Sequence, residues 1–160
     1  MRFANLTKWL CVAIAAAHLP VVHGDGQPKQ IVKIPGDCVV VQLAGQSASC
    51  ATNLGAIFVV LSNGIAMFNI PLSDDAVLAF VGEGDSQPAP GEYELYLRRV
   101  RLGVNAQESA ATDVTGTCRM SMTPDASIVY RIICNASDAS GRQFLLDFRG
   151  NDQPVEMITP

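Results

Sequence analysis

Two cysteines lie almost symmetrically about a turn in the stretch GTCRMSMTPDASIVYRIICNAS, residues 116–137. The Thr-Pro-Asp-Ala-Ser run between them has the residues of a turn, and alternating apolar residues flank it on both sides. If the turn centres near Ala126, Cys118 lies opposite Cys134 in an antiparallel pair. Directly opposed Cα atoms are roughly 4.5–5.5 Å apart, a distance that a disulfide can bridge. The stretch therefore predicts a cross-linked β-hairpin.

A second pair of cysteines repeats this arrangement, because Cys38 and Cys50 are centred on the Ala-Gly pair at 44–45. Four cysteines allow three pairings, and the two symmetric spacings favour Cys38 with Cys50 and Cys118 with Cys134. A redox motif and a zinc knuckle fit less well, since no two cysteines form Cys-x-x-Cys and their spacings match no zinc site. We expect two disulfides, an oxidising compartment, no cofactor and no metal.

The N-terminal stretch MRFANLTKWLCVAIAAAHLPVVHG predicts a secretory signal peptide over residues 1–24, with cleavage after Gly24. Arg2 and Lys8 precede an apolar run that is much shorter than the roughly 20 residues that a membrane span needs. A buried N-terminal helix is the alternative. Cleavage would leave a single all-β domain over residues 25–160, periplasmic or secreted, without stable insertion into a membrane.

Removal of the leader also removes both histidines, His18 and His23. Hydrolysis through a histidine base and a histidine-bound catalytic zinc are then excluded for the remaining chain. Nine basic residues remain against 15 acidic ones, a net charge of about −6, which makes nucleic acid a poor partner. We expect an unidentified protein or glycan partner, and the sequence indicates no particular oligomeric state.

Short apolar or alternating runs separated by turn residues make up the rest of the chain, which is typical of an antiparallel β protein. We expect a β-sandwich, with a small β-barrel as the alternative, and a loosely held tail at 150–160. We also expect a long loop at 104–116, and a two-residue turn at 63–64 with Ser62 facing Ile65. The nine expected strands lie near 30–34, 38–43, 56–62, 65–70, 76–82, 93–102, 116–123, 128–135 and 142–149.

Arginines sort to one face of the predicted C-terminal strands. Residue parity places Arg119 and Arg131 on the outer face of the hairpin, and Arg149 on the outer face of the next strand. These three residues are a candidate face for an anion or a partner, because guanidinium groups bind carboxylate, sulfate and phosphate groups well. The alternative is cross-strand pairing with Asp147 and Glu94, which stabilises a sheet modestly. The opposite face of the hairpin is predicted to carry Cys118, Met120, Met122, Tyr130, Ile132 and Cys134.

The stretch GEGDSQPAPGEY, residues 82–93, predicts an exposed connection between two strands. Its Glu83, Asp85 and Gln87 are candidate residues of an exposed loop, with which an inhibitor could contact a secreted hydrolase. Glu83 and Asp85 could instead serve an acid-based enzyme that uses no histidine. Together with the acids at 73–76 they could also bind calcium, although no EF-hand spacing is present.

The cysteine-bracketed stretch GDCVVVQLAGQSASC, the SNG turn before an aromatic-bearing strand, and the stretches GTCRMSM, IICNAS and GRQFLLDF form one recognisable layout. This layout resembles small secreted or periplasmic bacterial proteins of unknown function. The resemblance spans most of the predicted mature chain and implies no activity. We therefore expect a non-catalytic binding module of the cell envelope or extracellular space, with inhibition of a secreted lysozyme or protease as the alternative.

Overall fold

A computed structural model describes residues 26–73 and 75–158, and the predicted leader at 1–24 lies outside these described residues. The described residues form strands and turns and contain no helix, so the predicted antiparallel all-β class is confirmed. Eleven strands are present in this part of the chain: β1 (Pro28–Ile34), β2 (Gly36–Leu43), β3 (Gln46–Ala48), β4 (Ala56–Leu61), β5 (Ile65–Pro71), β6 (Ala76–Ser86), β7 (Glu92–Val104), β8 (Gln107–Met122), β9 (Val129–Ser137), β10 (Gln143–Gly150) and β11 (Glu156–Ile158).

The eleven strands form one sheet in the order β11-β1-β4-β5-β6-β7-β8-β9-β10-β2-β3. The predicted nine-strand sandwich is therefore wrong, because the protein is a curled half-barrel and not two packed sheets. The chain connections explain why the sheet must curl. β1 and β2 lie near opposite ends of the sheet, yet only Pro35 separates them along the chain. Consecutive Cα atoms are 3.8 Å apart, so the two strand ends lie within about 7.6 Å of each other.

A row of β-bulges across the middle strands supplies the curvature. The register shifts on both sides of Gly82 in the β6–β7 pair, and between Leu97 and Arg99 in the β7–β8 pair. An extra residue on one strand bends that strand and increases its twist. Glycines beside the bulges allow neighbouring strands to approach closely. A Cβ atom on Gly82 would lie 2.5 Å from atoms of β7, and one on Gly116 would overlap the backbone oxygen of Asn135.

The segment expected to be a long loop at 104–116 is largely strand. A tight turn at Asn105 and Ala106, both with positive φ, leads directly into β8. The first half of β8 is exposed, and its sequence therefore lacks the apolar alternation by which a half-buried strand is recognised.

The β4–β5 hairpin forms where it was predicted, but its expected register is wrong by one residue. Val59 pairs with Met67 and Val60 pairs with Ala66, so the connection has three residues, 62–64. A two-residue type I′ turn needs positive φ at both central positions, and within this connection only Gly64, at 83°, has it.

The core lies on the concave face of the sheet and draws side chains from nine of the strands. Phe58 packs against Phe68 with ring centroids 4.7 Å apart. Both disulfides pair as predicted, and they are consistent with an oxidising environment. Cys118 and Cys134 are directly opposed and buried in this core, with Cα atoms 4.0 Å apart. Cys38 and Cys50 are only partly buried, with Cα atoms 5.8 Å apart.

Residues 151–158, which we call the C-terminal strap, cross from β10 to β1. The sequence led us to expect a loosely held tail here. Val155 donates its backbone N–H to the Ser127 carbonyl at 2.9 Å, and Pro154 forms a bridge with Ile128. β11 then pairs with β1 in register at three positions. The strap thus connects the β8–β9 turn to the first strand of the sheet.

Candidate functional site

The three candidate arginines lie on the convex face of the sheet, as residue parity predicted. Arg131 is opposite Arg149 in the β9–β10 pair and opposite Ser121 in the β8–β9 pair. Arg119 lies two residues before Ser121 on β8 and is therefore on the same face. The sheet thus brings Arg119, Arg131 and Arg149 together on three neighbouring strands.

Carboxylates already pair with two of these arginines. Arg131 donates from Nε and from a terminal nitrogen to the two oxygens of Asp147, both at 2.8 Å. Arg119 donates from Nε to Glu94 Oε2 at 3.0 Å. These are the two carboxylates named in the cross-strand alternative. Arg149 has no carboxylate within 4 Å among the described residues.

The electrostatics of the Arg131–Asp147 pair favour its charged form. The hydrogen bonds from Arg131 hold the pKa of Asp147 below its usual value, and the charges of Arg131 and Arg149 act in the same direction. A depression of about 400 Å³ beside this pair is lined by both signs of charge, since Glu92 and Glu94 flank Arg119 and Arg131. An anionic partner would therefore compete with carboxylates that are already bound.

The candidate loop residues do not form one loop. β6 extends to Ser86, so Glu83 and Asp85 are strand residues, and the connection to β7 comprises only residues 87–91. Pairing of β6 with β7 resumes after the bulge that follows Gly82, although the Gly-rich sequence predicted that the strand ends there. Glu83 forms an ion pair with Arg98, and Asp85 accepts a hydrogen bond from the hydroxyl of Tyr93 at 2.9 Å. Only Gln87 lies in the exposed connection.

A cavity of about 490 Å³ lies at the end of the half-barrel that carries the β6–β7 connection and the β8–β9 turn. We call it the end cavity. These two segments meet there, since Met122 donates its N–H to the Gly91 carbonyl at 2.8 Å. Strands β1 and β4 form one wall, β7 to β9 form the other, and the C-terminal strap contributes to the boundary. The lining residues are Gln30, Val32, Ile34, Phe58, Gln87, Tyr93, Met120, Met122, Asp125, Ala126, Ser127, Val129, Val155 and Met157.

Apolar side chains dominate this lining because the concave core face continues into it. Phe58, Met120 and Val129 are buried core residues that also line the cavity. Met122 and Val155 are partly buried and pack against the same core. The cavity is within the range of roughly 300–1,000 Å³ that is typical of sites for small molecules.

Tyr93 is fixed at the wall of the end cavity by contacts at both ends of its side chain. Its hydroxyl donates to Asp85 Oδ2, and its ring stands edge-on to Phe58 with centroids 5.5 Å apart. Burial and the hydrogen bond to Asp85 raise the pKa of Tyr93 above its ordinary value. The phenol therefore remains a neutral hydrogen-bond donor at physiological pH.

Asp125 supplies the charge at the rim of the end cavity. Its Oδ1 accepts hydrogen bonds from Thr123 Oγ1 at 2.6 Å, from Ser127 Oγ at 2.8 Å and from the Ser127 N–H at 3.1 Å. These bonds, that from Thr123 first, lower the pKa of Asp125 to about 2. Asp125 Oδ2 accepts no hydrogen bond from the described residues, so an ionised oxygen remains available at the rim.

Sequence reasoning missed the end cavity as a site. Parity did place Met120 and Met122 on the inner face, but it could not show that Phe58 and Tyr93, from distant strands, converge on them. The only signal in the sequence is that Met120 and Met122 share one face of the hairpin, which is equally typical of an ordinary core face.

Residues 26–73 and 75–158 contain no helix that is long and apolar enough to cross a membrane. In the same part of the chain, no three or more histidine, cysteine, aspartate or glutamate side chains are arranged to hold a metal ion. Comparison of the chain with protein-family models, curated proteins and solved structures found no match.

Proposed function

We propose that this protein is an exported, non-catalytic binding module whose ligand occupies the end cavity. The observation that carries the proposal is a cavity of about 490 Å³ with a mostly apolar lining and a few polar groups at its rim. A concave apolar pocket with convergent polar groups is the usual form of a small-molecule site. Methionines suit such a site because their unbranched, polarisable side chains adapt to different ligand shapes.

Export is proposed from the leader-like first 24 residues and from the oxidised cysteines. The absence of catalysis is proposed from composition, because the chain from Asp25 onward has no histidine. The acids considered for catalysis are both engaged, Glu83 with Arg98 and Asp85 with Tyr93. We expect no turnover by the mature protein in hydrolase assays.

The end cavity supports binding better than the arginine face does. Binding an anion at Arg119 or Arg131 would require displacement of Glu94 or Asp147, whereas the cavity offers apolar surface without such competition. Hydrolase inhibition has less support, because the connection at 87–91 is short and two of the three candidate residues lie on β6.

The test uses the mature protein, residues 25–160, and the neutral dye N-phenyl-1-naphthylamine, whose emission rises in apolar surroundings. We expect saturable binding of one dye molecule per chain. The variant Met122→Trp, which fills the cavity from its half-buried wall, should abolish binding. The variant Met67→Trp places the same side chain on the convex face, where it is also half-buried, and should leave dye binding intact.

Both variants are first checked for the wild-type circular dichroism spectrum and a cooperative thermal transition. The only tryptophan of the full chain is Trp9, in the leader, so emission from each variant reports on the introduced residue alone. Failure of the wild-type protein to bind dye, or equal loss in both variants, would contradict the proposal.

A further inference from the structure

We propose that the end cavity selects cationic amphiphiles: a ligand with an apolar alkyl or aryl body and an ammonium group at the rim. This inference rests on the proposed function and names the ligand class of the same site. It follows from the distribution of charge and aromatic rings around the cavity.

The charge at the cavity has one sign. Among the described residues, Asp125 is the only charged one that lines it, and no lysine or arginine does so. A carboxylate ligand such as a fatty acid would find no cation there and would face a carboxylate. An ammonium group would instead meet Asp125 Oδ2, which accepts no hydrogen bond from the described part of the chain.

Asp125 is held ready for this role by the β8–β9 turn. Three hydrogen bonds to Oδ1 fix the orientation of the carboxylate, and they keep it ionised over the whole physiological pH range. Ala126, the next residue, has a positive φ of 58° and also lines the cavity. The turn therefore presents a rigid anion at the opening and does not need to order a flexible side chain on binding.

Two aromatic rings add to the preference for a cation. Phe58 and Tyr93 line the wall, and the hydrogen bond from Tyr93 to Asp85 holds its ring in place. Ammonium groups are attracted to aromatic faces within about 6 Å, which makes aromatic side chains a common element of sites for quaternary ammonium. The rest of the lining is mostly apolar and accommodates the body of the ligand.

The overall charge of the protein acts in the same direction. The chain beyond residue 24 carries about six negative charges in excess, so its long-range field favours the approach of cations. This long-range attraction depends on the net charge and not on any one residue, and it becomes weaker as salt is added. A specific contact with Asp125 is therefore distinguished by a variant of that residue alone.

The experiment measures displacement of the bound dye by three ligands of equal chain length: decyltrimethylammonium, decanol and decanoate. The two ionic ligands are kept below their critical micelle concentrations and decanol below its solubility limit. We expect the ammonium to displace the dye at the lowest concentration and decanoate at the highest. Asp125→Asn keeps the shape and the acceptor Oδ1 but removes the charge. It should weaken binding of the ammonium by about two- to five-fold and leave decanol unchanged.

Glu108→Gln is the matched control, because it removes one exposed negative charge on β8 that does not line the cavity. It should leave the order and spacing of the three ligands unchanged. If Asp125→Asn does not fold, the wild-type protein tests the inference instead. The order in which the three ligands displace the dye from it is then compared at low and at high salt. Equal displacement by decanoate and the ammonium, or an equal effect of both variants, would overturn the inference while leaving the cavity as a binding site. Absence of dye binding would instead contradict the proposed function itself.

Discussion

At the scale of single residues, the convex face is organised by pairs of opposite charge. Asp147 is the central example, since Arg131 binds both of its oxygens and Arg149 lies nearby. Parity predicted the outward positions of these arginines from the sequence alone, and named Asp147 and Glu94 as their possible partners. It failed for Tyr130, which is exposed, because a bulge gives its expected inner position to Val129. Bulges depend on contacts between strands and cannot be counted from alternation.

The Asp147 carboxylate predicts a pH-dependent contribution to stability. Its pKa is lower in the folded protein than in the unfolded chain, where an aspartate titrates at about 3.9. The pair therefore stabilises the fold fully above about pH 4, and this contribution is lost as the pH falls through the lower folded pKa. Asp147→Asn should lower the Tm by about 2–4 °C at pH 6, with a difference from wild type that shrinks towards pH 2.

Thermal unfolding of both proteins across this pH range measures the effect. Asp152→Asn is the control, because it removes an exposed carboxylate that forms no ion pair within residues 26–73 and 75–158. A difference between Asp147→Asn and wild type that stays constant with pH would show that the charge of Asp147 is not responsible.

At the scale of strands, local patterns predicted elements well and registers poorly. The β8–β9 hairpin could be predicted because its turn and its disulfide fix the same pair of positions, Cys118 and Cys134. The β2–β3 pair follows the turn at 44–45, whereas Cys50 lies beyond the end of β3. The register of β4–β5 depends on one φ angle, at Asn63, which the Asn-Gly sequence permits but does not require. β8 was missed over its first half because an exposed strand has no apolar face to reveal it.

The bulge row makes a prediction about β8. Gly116 lies where β8 and β9 approach so closely that a Cβ atom would overlap the backbone oxygen of Asn135. Gly116→Ala must push the strands apart in the middle of the sheet, and we expect a loss of about 1–3 kcal/mol in the free energy of unfolding. Gly103→Ala on β7 makes the same chemical change where the nearest atom would be 3.5 Å away. It should change stability by no more than about 0.5 kcal/mol.

Urea unfolding of the oxidised proteins measures both changes. Similar losses for the two variants would mean that the close approach of β8 and β9 is not the cause, since Gly→Ala reduces the conformational entropy of the unfolded chain and by itself stabilises a fold.

At the scale of the whole molecule, the sequence determined the class but not the architecture. Short strands with alternating residues are compatible with a sandwich, a barrel or a curled single sheet, since all three have one buried face. The difference lies in connections such as Pro35, which joins strands that are not neighbours in the sheet. The end cavity is a product of this architecture, because its walls come from strands that only the curl brings together.

The C-terminal strap closes this arrangement, and its removal provides a test at the same scale. Val155 and Met157 line the end cavity, while backbone hydrogen bonds tie the strap to Ser127 on one side and to β1 on the other.

Truncation after Gly150 removes all of these contacts, and each lost hydrogen bond contributes about 0.5–1.5 kcal/mol. Truncation after Val155 removes β11 but retains the bond to Ser127. Stopped-flow release of N-phenyl-1-naphthylamine should be fastest without the strap, intermediate with Val155 as the last residue, and slowest in the chain of residues 25–160. Equal release rates in the three proteins would show that the strap does not limit release of the ligand.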